Sequence, residues 1–168
     1  MVKGRKTPVN KFSMRIGLTA LFFALIGFSC SEKPGYHNYA DIHDYWISTD
    51  TMRFDVPVKD TVSEHSFWME VRCSSDYEWS RFFSGYEIRD SVGHQLDSGL
   101  INAILFDPVT GVPRGKGGIG DLYENQVLFK QQYRFPYRGT FSVLFWQMMR
   151  RDSLEGIRNV GLRMEPVQ

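Results

Sequence analysis

Alternation of apolar and polar residues at every second position is the feature that most constrains the fold of this chain. Met52, Phe54, Val56 and Val58 alternate with polar neighbours or Pro57. The same period of two recurs in five further segments: 67–73, 82–90, 95–106, 127–135 and 159–165. Because successive side chains of a strand point to opposite faces, each segment predicts a half-buried β-strand. The segment 140–147 is apolar on both faces and predicts a central strand covered on both sides.

The residues between these segments indicate how the strands are connected. Pro57 cannot donate to a ladder, so the first strand is expected at a sheet edge or to end there. Gly93 supplies the positive φ that a hairpin turn needs. We expect a bulge at Ser98–Gly99 and one helical turn within 149–156. Seven or eight short strands with almost no helix predict an all-β fold, an antiparallel β-sandwich of immunoglobulin-like or jelly-roll-like type. A small barrel is the alternative.

The first 29 residues have the anatomy of a secretory signal peptide. Five Lys and Arg residues and no acidic residue precede Cys30, and an uninterrupted apolar run extends from Ile16 to Phe28. That run is shorter than the ~20 residues that span a bilayer. A cysteine directly behind it predicts a lipoprotein signal, in which Cys30 carries a diacylglycerol and acyl chains such as palmitate. An ordinary signal or an uncleaved anchor is the alternative, and Gly27 occupies a place where bacterial lipoprotein signals usually carry Leu.

The sequence therefore predicts three parts: a signal peptide at 1–29, the lipidated cysteine and a tether at 30–50, and a single β-sandwich domain at 51–168. Residues 31–50 show neither a helical nor a strand period, and within them residues 45–47 are expected to be the first to dock on the core. Without the signal, 15 basic and 19 acidic residues leave a net charge of −4. This balance argues against a nucleic-acid partner, which needs a clustered basic face.

Cysteine and histidine usage predicts neither a disulfide nor a metal site. If Cys30 is acylated, Cys73 has no partner within the chain, and its alternation with Phe67, Met69 and Val71 predicts a buried thiol. The cluster around His37 and His43 lies in the tether, whereas a zinc site needs ligands on an ordered frame. We therefore expect no metal and no cofactor apart from the lipid.

The glycine-rich stretch 115–120 matches the spacing of a dinucleotide-binding motif, but its context does not. Pro113 precedes it and a strand-like segment follows, whereas that motif must follow a buried strand and open a helix. We interpret 107–121 instead as a surface loop that contacts a partner. The residues expected to make this contact are Arg114, Lys116, Gly117, Gly118, Gly120 and Asp121.

A dense group of aromatic residues lies between 68 and 83. Most of these residues are expected in the core. Trp68, Tyr77 and Trp79 are the candidates for surface contacts, because exposed rings stack on sugars or anchor protein partners. The chain lacks the G-x-S-x-G motif that carries the nucleophile of many serine hydrolases. The carboxylates Asp76 and Glu78 lie in a polar stretch, where solvated loop side chains are expected rather than a catalytic pair. The sequence therefore predicts a protein that is not an enzyme.

Several short motifs occur in an order that is similar to a known family. They are Ser75–Tyr77, Gly117–Asp121, Tyr133–Pro136, Gly139–Phe141, Gln147–Arg150 and Ile157–Glu165. With these motifs behind a lipoprotein signal, the chain resembles the gliding-motility lipoprotein GldH family of the Bacteroidota. The resemblance implies membership of the cell-envelope machinery for gliding, with envelope or type IX secretion proteins as partners and no catalytic residues.

The favoured hypothesis is thus a non-enzymatic lipoprotein that acts through protein–protein contacts. Residues 31–33 carry one acid behind the cysteine, a weak version of a surface-export signal, so we favour the periplasmic face of the outer membrane. The alternative hypothesis is an envelope glycan-binding module that uses the exposed aromatic residues.

Overall fold

The computed structural model describes residues 35–118 and 120–167, and within these residues the regular structure is entirely β-strand. The eleven strands are β1 Tyr36–Asp41, β2 Trp46–Ile47, β3 Thr51–Val58, β4 His65–Ser74, β5 Arg81–Arg89, β6 Gln95–Ile104, β7 Lys116–Gly117, β8 Leu122–Tyr133, β9 Gly139–Gln147, β10 Ser153–Leu154 and β11 Ile157–Pro166.

The strands form two large antiparallel sheets and one small one. The five-stranded sheet has the order β1-β11-β4-β8-β7, and the four-stranded sheet has the order β3-β9-β5-β6. Strands β2 and β10 form the small sheet. Contacts between β1 and β3 and between β6 and β8 place the two large sheets face to face. The prediction of an all-β antiparallel sandwich is confirmed.

The core lies between the two large sheets and follows from the period-two pattern. Alternate residues of β4, from Phe67 to Cys73, are fully buried, as are Phe141, Val143 and Phe145 of β9. Phe129 of β8 links the sheets, because its ring lies 5.9 Å from Phe67 in its own sheet and 5.5 Å from Phe145 in the other. Each large side chain buried in this way contributes about 1.5–3 kcal/mol relative to an exposed one.

The seven long segments predicted from periodicity are all strands. Pro57 lies in β3, which is an edge strand, and the apolar segment 140–147 lies in β9, between β3 and β5. The outer face of β9 is only partly covered, since Leu144 and Trp146 remain half-buried.

Two local predictions are wrong. Ser98 and Gly99 pair in regular register with Glu87 and Tyr86, and the irregularity falls instead at the end of β5, between Ile88 and Arg89. A glycine at position 99 is required by packing, because the Tyr86 ring occupies the space that a side chain at position 99 would fill. The expected helical turn within 149–156 is replaced by β10, which pairs with β2.

The lead-in is more ordered than its composition suggests. The sequence predicts a tether at residues 31–50, but residues 36–41 form β1, which pairs along its whole length with β11. Trp46 of β2 is fully buried, packs 5.7 Å from the ring of Phe82 and donates its indole N–H to Asp50 O. Segment 36–41, expected in the tether, therefore belongs to the packed domain, and the expected docking of residues 45–47 on the core is confirmed for Trp46.

Candidate functional site

The predicted signal peptide and the lipidation site at Cys30 lie outside the described residues. In residues 35–118 and 120–167, no helix is long and apolar enough to cross a membrane. Gly35, the first described residue, lies beside Met164 near the C-terminal end of β11. The start of the described domain therefore marks one end of the sandwich, together with the beginning of β4 at His65, which pairs with Pro166.

The first half of the loop predicted to contact a partner is a tightly bonded projection from the end of β6. The carboxylate of Asp107 accepts hydrogen bonds from the backbone N–H groups of Val109 and Thr110 and from the guanidinium of Arg114. The Thr110 backbone bond, followed by the Arg114 bond, lowers the pKa of Asp107 to about 2. Val109 at the tip is 90% exposed. The sequence predicted a loop here, and its tip presents an apolar side chain to solvent.

The glycine-rich half of the loop returns to the sheet edge. Lys116 and Gly117 form β7 and pair with β8, and the Gly118 N–H then donates to Leu122 O. Gly120 and Asp121 have positive φ values of 73° and 55°, which turn the chain directly into β8. The segment therefore opens a strand and not the helix of a dinucleotide-binding motif.

This loop lies at the end of the sandwich opposite to Gly35. Strand β4 runs from His65, at the Gly35 end, to Ser74, which pairs with Leu122 at the start of β8. The backbone N–H of Ser75 donates to Asp121 O and fixes the loop to this far end. We call this end of the sandwich the distal end, defined by residues 75–80, 105–118, 120–121 and 148–153.

The three candidate aromatic contacts occupy different environments. Tyr77 is 5% exposed, donates to Arg81 O and stacks on Phe106, so it belongs to the core and offers no surface for a contact. Trp68 is half-buried on the outer face of the five-stranded sheet under the guanidinium of Arg163. Trp79 is half-buried at the distal end beside Arg151.

Sequence reasoning missed a polar cluster on the outer face of the five-stranded sheet. Glu70 points away from the core, yet only 1% of it is exposed. Its carboxylate accepts a hydrogen bond from the hydroxyl of Tyr39 and lies 2.7 Å from Nε2 of His37, both on β1. Arg163 Nε lies 3.0 Å from Glu70 Oε1, an ion-pair distance without hydrogen-bond geometry.

The electrostatics of this cluster favour an ionised Glu70. Burial acts to raise the pKa of Glu70, but the hydrogen bonds from Tyr39 and His37 and the charge of Arg163 outweigh it, so the pKa lies below its ordinary value. Burial, with the hydrogen bond to Glu70, raises the pKa of Tyr39. Arg72 covers the Tyr39 ring at 4.3 Å. Because Glu70 is covered by these neighbours, the cluster holds β1 on the sheet and does not offer an open carboxylate.

One signal of this cluster was present in the sequence. Glu70 and Arg163 both fall on the polar positions of alternating strands, which placed them on the outside of a sheet. Their partners His37 and Tyr39 come from the lead-in, where no strand was expected. The cluster can be recognised only once β1 is seen to pair with β11, because this pairing brings His37 and Tyr39 to Glu70.

Cys73 is confirmed as a buried thiol. It is fully buried, its Sγ lies 3.7 Å from Asn125 Nδ2, and burial raises its pKa to about 11. It is therefore protonated at neutral pH, unlike a nucleophilic cysteine. Across residues 35–118 and 120–167, no group of three or more His, Cys, Asp or Glu residues is arranged to hold a metal ion.

The fold and these surfaces define a class of protein, a β-sandwich domain whose candidate sites are distal loops and a sheet face. The model of the GldH lipoprotein family matches residues 35–164, and the chain belongs to this family.

Two curated relatives have similar length. The gliding motility lipoprotein GldH homolog of Christiangramia forsetii is 26% identical over 86% of this chain and 91% of its own. Gliding motility lipoprotein GldH of Flavobacterium johnsoniae is 24% identical over 86% and 92%. Among solved structures, the infectious bursal disease virus VP2 subviral particle is 10% identical with a TM-score of 0.41, over 82% of this chain and only 34% of that one. This likeness is too weak to relate the two proteins.

Proposed function

We propose that this chain is a lipid-anchored, non-enzymatic component of the gliding-motility machinery in the cell envelope, and that it acts through protein–protein contacts. The observation that carries the proposal is the family match, which extends from Gly35 to Met164 and so includes β1 and nearly all of β11. The names of the two relatives, a gliding motility lipoprotein and its homolog, agree with a basic and apolar N-terminus that ends at Cys30.

The lipid anchor is tested with the two cysteines of the chain. Cells fed radiolabelled palmitate should label the wild-type protein, and Cys30→Ala should abolish the label. Cys73→Ala is the matched control, because Cys73 is buried in the core and should leave labelling unchanged when the protein is present in equal amount. Label that persists in Cys30→Ala would refute the anchor.

The protein-contact role is tested at the exposed Lys116 of β7. A photo-crosslinking residue placed there in the full-length lipoprotein should capture defined envelope proteins in living cells. Loss of the gene should also reduce cell movement over a surface, with restoration by the wild-type gene. The proposal would be contradicted if cells without the gene moved normally and if the crosslinking variant, present at wild-type abundance, captured no envelope protein.

The proposed location is the periplasmic face of the outer membrane. It rests on the single acid among residues 31–33. The protein should fractionate with outer membranes and resist protease added to intact cells, and it should be degraded once the outer membrane is opened. Digestion in intact cells would place it on the cell surface instead.

A second function, glycan binding, is favoured by one observation. Trp68 is only half-buried on an outer sheet face, beside the guanidinium of Arg163 at 4.3 Å from the ring centroid, and the exposed part of such a ring is suited to stacking on a sugar. Peptidoglycan or polysaccharide fragments should then shift the tryptophan emission of the wild-type protein but not of Trp68→Ala. An emission unchanged by every fragment would discard this function.

A further inference from the structure

A recess of about 410 Å³ opens at the distal end, next to the turn that follows β9. It is lined by Trp79, Phe83, Met148, Met149, Arg150 and Arg151. Its lining combines an aromatic and methionine floor with two arginines. Trp, Arg and Met are the residue types enriched at the centres of protein interfaces, and methionine adapts to irregular partners.

The floor of the recess is held in place by the buried side chain of Gln147. This side chain, 3% exposed, accepts a hydrogen bond from the Met149 N–H at 2.8 Å and donates to Arg151 O at 2.7 Å. The Phe83 N–H points at Met149 Sδ at 3.4 Å, and the Met148 N–H donates to Phe83 O. The turn is therefore shaped before any partner binds, which lowers the entropic cost of docking.

The two arginines give the recess a positive side. Arg150 and Arg151 are both exposed, and neither lies within ion-pair distance of a carboxylate among the described residues. By contrast, Arg158 and Arg114 are paired with Asp76 and Asp107. The Arg151 guanidinium instead lies 5.6 Å from the Trp79 ring. The recess thus offers, at the edge of an apolar floor, two cations without a direct ion-pair partner among the described residues.

A neighbouring surface restricts how an anion can approach. The other side of Trp79 and Arg151 borders a smaller recess lined by Asp76, Glu78 and Glu155. A carboxylate is repelled there, so an acidic group is accommodated only on the other side of Arg151, within the recess that Arg150 and Arg151 both line. A ligand of the recess must therefore place an apolar group on the floor and acidic groups beside the arginines, at defined positions relative to each other. A peptide segment meets this requirement, whereas a polyanion with evenly distributed charge does not.

We propose that this recess binds an extended segment of a partner protein, in which an apolar side chain enters between Trp79 and Met149 and adjacent Asp or Glu residues pair with Arg150 and Arg151. The proposal deepens the protein-contact function proposed above and rests on it. Because the recess is at the distal end, the partner docks at the end of the sandwich opposite to Gly35.

The test uses the full-length lipoprotein in cells. A photo-crosslinking residue, p-benzoylphenylalanine, replaces Met148, which is 51% exposed at the recess. The control position is Val62, which is 78% exposed in the turn between β3 and β4 at the Gly35 end. Peptides attached at position 148 are identified by mass spectrometry. We expect a protein segment with an apolar residue next to carboxylates, and at least fivefold less of it at position 62.

Charge reversal then tests the pairing. The double variant Arg150→Glu/Arg151→Glu should reduce the adduct at position 148 at least fivefold. The matched control Lys59→Glu/Arg138→Glu changes the net charge equally, uses exposed residues at the opposite end and should leave the adduct unchanged. Circular dichroism of each variant confirms that the sandwich is folded.

The failure of each proposal is distinguishable. Palmitate labelling of the same variants reports on the anchor, independently of the recess. Three results would overturn the recess proposal. They are an adduct at position 148 with a basic segment, a lipid or a glycan; equal adduct yields at positions 148 and 62; and no adduct from a protein that is labelled with palmitate and folded. Loss of labelling with the acidic adduct retained would overturn the anchor instead.

Discussion

Among single residues, Gly85 and Trp146 show how one side chain depends on the absence of another on the outer face of the four-stranded sheet. The two residues pair across β5 and β9, and the indole ring lies over the glycine. An added Cβ at Gly85 would lie 2.3 Å from the ring. Trp146 therefore stays half-buried because its neighbour has no side chain.

Gly85→Ala is expected to lower the free energy of unfolding by about 1–3 kcal/mol, because the indole ring must leave its site. Urea unfolding measures the loss, and the tryptophan emission of the native state should shift to longer wavelength. Gly117→Ala is the control, since a Cβ there meets no atom within 4 Å and the change should stay within about 0.5 kcal/mol. Equal stability of the two variants would contradict the packing argument.

Glu70 predicts a specific pH dependence. Its pKa is lowered in the folded protein, so the unfolded chain binds the extra proton and stability falls as the pH drops below the ordinary value of 4.5. Glu70→Gln should cost about 2–3 kcal/mol at neutral pH, because Arg163 loses its buried partner, and the difference from wild type should shrink towards pH 3.

The control for Glu70 is Arg53→Gln, which breaks an ion pair with Asp55 on the exposed face of β3. Both members of that pair are more than half exposed, so the loss should be below about 0.5 kcal/mol. Unfolding titrations of both variants between pH 3 and pH 7 provide the measurement. A constant difference between Glu70→Gln and wild type across this range would rule out the assigned ionisation.

At the scale of elements, β1 is an edge strand attached on one side only. Its backbone pairs with β11, and its outward side chains His37 and Tyr39 reach across β11 to Glu70 on β4. Gly161 of β11 makes this crossing possible, because an added Cβ would lie 2.7 Å from the Tyr39 ring. One glycine therefore controls how firmly the first strand is held.

Gly161→Ala should loosen β1 while leaving the central strands unchanged. We expect amide hydrogen exchange in residues 36–41 to accelerate about tenfold, equivalent to about 1.4 kcal/mol, as the Tyr39 ring is displaced from Glu70. Amides of β9 in the same sample are the internal reference. Equal acceleration in β9 would mean global destabilisation, and no acceleration in β1 would mean that the ring is not needed.

At the scale of the whole molecule, the described residues share one hydrophobic core. Phe129 connects the two large sheets, and Trp46 joins the small sheet to that core through Phe82. No separate core supports the β2–β10 sheet among the described strands. The sandwich should therefore unfold as a unit.

Cooperative unfolding predicts that the far-ultraviolet circular dichroism and tryptophan emission change together in urea. The midpoints of the two curves should coincide, because Trp46 leaves its site only when the sandwich opens. A tryptophan transition at clearly lower urea would show that the segment containing β2 detaches independently.

The amino-acid sequence was sufficient to predict the fold class and, for most strands, which face points towards the core. Period-two alternation in segments such as 52–58 identified six of the seven long strands, and the apolar run 140–147 identified the seventh. Pro57 placed its strand at an edge, because proline cannot donate to a neighbouring strand. The lipidation of Cys30 likewise stays a prediction from sequence alone.

Features that depend on neighbours far apart in the chain could be recognised only in the folded structure. Segment 36–41 has no apolar alternation, and it is a strand because β11 offers a free edge and Glu70 binds its polar side chains. Tyr77 lies in a polar stretch and was a candidate for surface contacts, yet packing against Phe106 buries it. Periodicity records which face of a strand is apolar, but not which strand lies beside it, because strand order is set by long-range pairing that no local pattern encodes.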